Sequence, residues 1–157
     1  MHGAVPSTLA GGFVIHTRAL HALMARKTPV LLDVSEAPRR PPRMAPGAVW
    51  LPLPHQDIPG SLWIPDAGLG AVPPRLALFV AATLARLTGG RADAPVVVYC
   101  HPACWMSWNA ARRLVWLGYR RVYWDPDGIE GWAAAGLPLA NAPPLALGGA
   151  AVSPSAR

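Results

Sequence analysis

Lysine is nearly missing from this chain: Lys27 stands alone against thirteen arginines, and only eight residues are acidic. Charged residues make up 14% and hydrophobic residues 52%, which excludes a disordered polymer. The formal charge is +6, yet the bases are scattered in pairs: Arg39-Arg40, Arg112-Arg113 and Arg120-Arg121. No basic run or aromatic-basic motif accompanies them, which argues against a nucleic-acid partner. No apolar stretch approaches the ~20 residues needed to span a bilayer. Met1 to Pro6 lacks the basic start and apolar run of a secretory signal. Cysteine is limited to Cys100 and Cys104, so there is no dispersed disulfide framework. A length of 157 residues suits one domain, and its seven tryptophans supply bulk for a core.

What is present is an alternation of short apolar runs and helical stretches. Residues 1–16 read as a flexible lead-in. Thr17 is placed to cap a helix over Arg18 to Arg26, with Leu20, Leu23 and Met24 on one face. Pro29 stops it, and Val30 to Val34 has the length of a buried strand. Pro38 to Pro46 carries four prolines and three arginines and reads as an exposed loop. Ala48 to Leu53 reads as extended, and Ile58 to Pro65 as a turn feeding a short strand. Pro73-Pro74 starts a helix that runs from about Arg75 to Leu87 and ends at Gly89-Gly90. Val96 to Tyr99 suits a strand buried on both faces. A helix over Ser107 to Leu117, a strand at Val122 to Trp124 and a short helix at 128–135 follow. The domain closes at Leu139, and 140–157 read as a disordered tail. This order predicts an α/β fold with a mostly parallel central sheet flanked by helices.

Cys100 lies at the carboxyl end of a strand, just before a helix, where α/β sheets place their ligands. Converging loop N–H groups and the helix N-terminus favour a thiolate there, and an anion beside it. The competing reading, a small buried hydrophobe, accounts less well for this position. Cys104 stands four residues on, which suits either a reversible disulfide with Cys100 or simple packing under the loop. It is also placed to resolve a persulfide or sulfenic acid on Cys100. Two cysteines and the adjacent His101 fall short of the four ligands of a zinc site, so no metal or cofactor is expected. His16, His21 and His55 read as surface or loop residues. Asp125 and Asp127 read as solvated turn residues, with a partner or metal contact as the alternative.

The succession VLLDV (30–34), IPGSLWIP (58–65), VVVYC (96–100) and DGIEGWAAAGLPL (127–139) resembles the rhodanese-like family over residues 17–139. The loop CHPACWMSWNAA (100–111), with Gly118-Tyr119 and VYWDPDG (122–128), is similar to a bacterial subgroup. This is the PQQ-dependent catabolism-associated CXXCW motif family, although the cysteines here are spaced C-x-x-x-C-W. The resemblance implies a sulfurtransferase-like cysteine, Cys100, assisted by Cys104, that carries sulfur as a persulfide. The loop residues His101, Ala103, Trp105, Met106 and Ser107 would cradle a small sulfur-containing anion or a protein thiol. Asp33 would order neighbouring loops, and Trp132 would sit in the core. The subgroup implies a periplasmic location, with the cytoplasm as alternative, and a quinoprotein dehydrogenase or its cytochrome as partner. One departure matters. Active sulfurtransferase loops carry an Arg after the Cys and four residues, and here no Arg or Lys lies between Cys100 and Arg112. An oxyanion then loses a bidentate, charge-assisted partner, which argues against phosphate-ester hydrolysis. It also leaves open an inactive binding or maturation module.

Overall fold

The computed structural model describes residues 4–145. Its centre is a five-stranded sheet built from β1 (Phe13–Val14), β2 (Val30–Asp33), β4 (Leu62–Trp63), β5 (Val96–Tyr99) and β6 (Val122–Asp125). The order is β1-β6-β5-β2-β4, and every pairing is parallel. The mostly parallel sheet expected from the sequence is therefore present. All four residues of β5 are buried because the strand has a neighbour on each edge and helices on both faces. Each of Val96, Val97 and Val98 is fully enclosed, a burial worth about 1.5–3 kcal/mol per side chain.

Alternation along the strands divides the core in two. Leu32, Val96 and Val98 face α2 (Pro74–Thr88) and α3 (Trp105–Trp116). Leu31, Val97 and Tyr99 face α1 (Thr17–Arg26) and α4 (Gly128–Ala134). Helix α2 ends at Gly89 in the left-handed region, φ 61°, as the glycine pair predicts.

Several expectations change. Helix α3 begins at Trp105, two residues before Ser107, so the loop after β5 is shorter than the sequence suggested. Thr17 does not cap α1; it is the first helical residue, and Asp127 caps the helix from across the fold. The lead-in contains β1, which extends the sheet beside β6. The segment from Ala48 to Leu53 forms no strand, and Val49, Leu51 and Leu53 stand more than 80% exposed. The first residues of the expected tail are structured. Ala140–Asn141 forms β7, antiparallel to β3 (Gln56–Asp57), and Leu145 N–H donates to Trp63 O. The rest of the expected tail, 146–157, lies outside the described residues.

Candidate functional site

Parallel strands put all their carboxyl ends on one edge of the sheet, and the chemistry-bearing residues collect there. Asp33, Tyr99 and Asp125 stand in register across β2, β5 and β6, and Cys100 follows directly. The loop from Cys100 to Cys104 turns through Pro102 and through Ala103, which adopts φ 54°. That left-handed conformation costs a residue with a Cβ about 1–2 kcal/mol. Cys104 then serves as the N-cap position of α3.

Cys100 is held from three sides. Its carbonyl accepts the Ile129 N–H at 3.0 Å, at the start of α4. Gly128, at φ 61°, passes so close that an added Cβ would sit 2.2 Å from that carbonyl oxygen. The sulfur lies 3.1 Å from Ser107 Oγ, which also receives the Trp124 Nε1–H at 3.0 Å. The Ser107 hydroxyl has the Cys104 carbonyl as a further acceptor at 3.5 Å. The Cys100 thiol also has the Cys104 carbonyl within reach at 3.7 Å, and no disulfide joins the two cysteines.

The side chain of Cys100 is 0% exposed and that of Cys104 is buried as well. This reverses the expectation of a thiolate. The Cys104 hydrogen bond and burial push the Cys100 thiol well above its ordinary range, while Ser107 pulls the other way. The loop amides alone do not set the charge state; the neighbouring Cys104 and enclosure do.

The other expected loop residues separate. Ser107 reaches the sulfur. Met106 is enclosed in the core and lies against the backbone at Gly68. Trp105 is half-buried and meets Trp108 edge to face at 5.4 Å. Ala103 is exposed, and His101 turns away to place Nδ1 2.7 Å from Glu130 Oε1. Among the described residues, neither nearby arginine of α3 takes the place of the missing one. Arg112 stacks over the Trp108 and Trp116 rings, and Arg113 donates to the carbonyls of Ala67, Leu69 and Gly70.

Asp33 is fully buried. Oδ1 accepts the Ser35 N–H at 2.8 Å and its hydroxyl at 2.5 Å, and Oδ2 meets His55 Nε2 at 2.6 Å. It thus ties two loops to the sheet edge. Trp132 is in the core, and its Nε1–H donates to Pro138 O.

Sequence reasoning missed three features. His55 is a partly buried partner of Asp33 and stacks on Trp63 at 3.9 Å, not a surface residue. It lines a cleft of about 320 Å³ with Glu36, Trp63, His101 and Ile129. Asp127 caps α1, accepting the Thr17 N–H and hydroxyl on Oδ2 and meeting His16 Nδ1 with Oδ1. Burial opposes ionisation there, but the Thr17 amide and His16 outweigh it and hold the carboxyl below its usual range. Asp57 and Asp125 are buried, each with Oδ2 lacking a hydrogen bond, and burial raises both to about 7. A histidine two residues before an aspartate, between proline and IPG, was the available signal for His55. Trp124 gave none, because its partner is seventeen residues away. Among the described residues, no group of three or more His, Cys, Asp or Glu side chains is placed to hold a metal ion.

The fold recurs in solved structures. A thiosulfate sulfurtransferase from Pseudomonas aeruginosa superposes with TM-score 0.58 and 21% identity, over 86% of this chain and 21% of that one. The polysulfide-sulfur transferase homodimer of Wolinella succinogenes gives 0.53 and 20%, over 83% of this chain and 80% of that one. The protein YnjE gives 0.57 and 20%, over 84% of this chain and 31% of that one. The chain thus spans about a fifth of the Pseudomonas protein and under a third of YnjE. No curated protein matches the sequence. The rhodanese-like domain model matches residues 16–135, which takes in β2, β4, β5, β6, all four helices and the Cys100 loop, and the chain belongs to the rhodanese-like domain family.

Proposed function

We propose that this domain is a sulfurtransferase-like thiol protein in which Cys100 accepts sulfur as a persulfide. The observation that carries the reading is the placement of Cys100. It ends the central strand, at the edge where the sheet gathers its polar groups, with its sulfur 3.1 Å from the Ser107 hydroxyl. That hydroxyl can donate to a sulfur anion, and the Trp124 indole holds it in place. Relatives of this fold named for thiosulfate and polysulfide support a small sulfur-containing anion as donor. Enclosure of Cys100 means that loading requires the loop from His101 to Cys104 to open. The test is intact mass after exposure to thiosulfate or inorganic polysulfide. Gain of one sulfur atom by the natural chain and none by Cys100→Ser is the expected result. Unchanged mass in both refutes the proposal.

The second reading is a binding or maturation module, and the 0% exposure of Cys100 and the absent loop arginine favour it. The likeness to the CXXCW subgroup extends either reading to a periplasmic protein serving PQQ-dependent alcohol oxidation. A quinoprotein dehydrogenase or its cytochrome would then co-purify with the tagged chain, and a consistent failure to do so removes that link.

A further inference from the structure

Once Cys100 carries an outer sulfur, the arginines and the histidine closest in sequence among the described residues are engaged elsewhere. Cys100 is enclosed, Arg112 lies on two tryptophan rings, Arg113 is spent on three carbonyls, and His101 is turned to Glu130. A second thiol is internal. Cys104, whose carbonyl lies 3.7 Å from Cys100 Sγ, is buried in the same cluster and stands at the N-terminus of the twelve-residue helix α3, whose positive end favours an anionic sulfur.

The target is fixed while the attacker can move. The Cys100 carbonyl is pinned by Ile129, its backbone is packed on Gly128, and its sulfur is held by Ser107, itself fixed by Trp124. Cys104 follows Ala103, whose φ of 54° stores strain that a small loop movement releases. A neighbouring thiol gains the advantage of an intramolecular reaction over any thiol that must enter from solution.

We infer that Cys104 resolves the persulfide on Cys100, releasing sulfide and leaving a Cys100–Cys104 disulfide. This rests on the reading of Cys100 as sulfur acceptor. Cys104 attacks Sγ of Cys100, the new bond joins the two Sγ atoms, and the bond to the outer sulfur breaks. The outer sulfur takes the electron pair and leaves as hydrosulfide. Overall, Cys100–S–SH plus Cys104–SH gives the disulfide plus hydrogen sulfide, so both thiol protons leave with the product. The outer sulfur is reduced, the Cys104 sulfur is oxidised, the Cys100 sulfur keeps its oxidation state, and no external oxidant takes part. Return to the dithiol requires an external reductant, a partner protein dithiol of the class that reduces disulfides by exchange. The domain thereby becomes a sulfide-releasing device that turns over once per reduction.

The experiment loads the full chain with inorganic polysulfide, desalts it, and follows intact mass, released sulfide and disulfide peptides with time. The natural chain is expected to pass from a one-sulfur gain to a two-hydrogen loss, releasing one equivalent of sulfide after desalting. Cys104→Ser is expected to keep the added sulfur and release none. If the natural chain holds its persulfide as long as Cys104→Ser does, the inference is overturned while the sulfur-acceptor reading stands. If neither protein gains sulfur or forms the disulfide, both fail. Disulfide mapping of the natural chain needs no variant, so a poorly folded Cys104→Ser does not shield the proposal.

Discussion

Replacing Gly128 by alanine probes how the start of α4 holds the Cys100 loop. Gly128 sits at φ 61°, where an L side chain costs about 1–2 kcal/mol. The added Cβ would lie 2.2 Å from Cys100 O and 3.1 Å from His101 C, closer than backbone atoms tolerate. The two segments must part, which breaks the 3.0 Å bond from Ile129 N–H to Cys100 O. A buried carbonyl left without its donor costs about 1–3 kcal/mol more. The expected total is therefore about 2–5 kcal/mol. Gly136→Ala is the internal control, because Gly136 has φ 73° but no atom within 4 Å of an added Cβ. It should lose only the conformational part, about 1–2 kcal/mol. In urea, with m about 2 kcal/mol per M, Gly128→Ala should lower the midpoint by roughly 1–2.5 M and the control by clearly less. Alkylation of Cys100 should also accelerate in Gly128→Ala, because the loop loses its anchor. Equal losses in the two variants, with unchanged alkylation, would refute the account of how Cys100 is fixed.

Three further outcomes follow from the same geometry. Ser107→Ala removes the group that opposes the rise in the Cys100 thiol, so alkylation of Cys100 at a fixed alkaline pH should slow, with Ser107→Thr restoring it. Asp57 is raised from 3.8 to about 7 by burial, with Asp33 adding to the shift. A carboxyl raised in the folded state gives stability that is full below about 4 and lost as pH climbs through about 7. Asp57→Asn should accordingly raise the thermal midpoint at pH 8 more than at pH 5, and an equal effect at both refutes the assignment. Asp127→Ala deprives α1 of its cap at Thr17 and should cost about 1–2 kcal/mol in urea unfolding, with Asp127→Asn milder.

The helices and longer strands were legible because their signals are local. Branched residues at 96–98, prolines before helices and strands, and glycines after α2 and α3 act through their own backbone preferences. The two-residue strands β1, β3 and β7 were not legible, since two residues carry no period to read. Asp125 shows the same limit: a loop-like sequence context suggested a solvated turn, yet its register beside Tyr99 buries it.

The sequence by itself determined that a cysteine follows a buried strand, that a second stands on the same loop, and that no arginine lies between them and Arg112. Those are facts of order along the chain, and chain order is what sequence specifies directly. Only the tertiary structure decided that Cys100 is enclosed, that Ser107, fixed by Trp124, holds its sulfur, and that His55 pairs with Asp33. Burial and hydrogen bonding between distant residues depend on how helices settle on the sheet. They set the charge and reach of the thiol, which residue order alone does not fix.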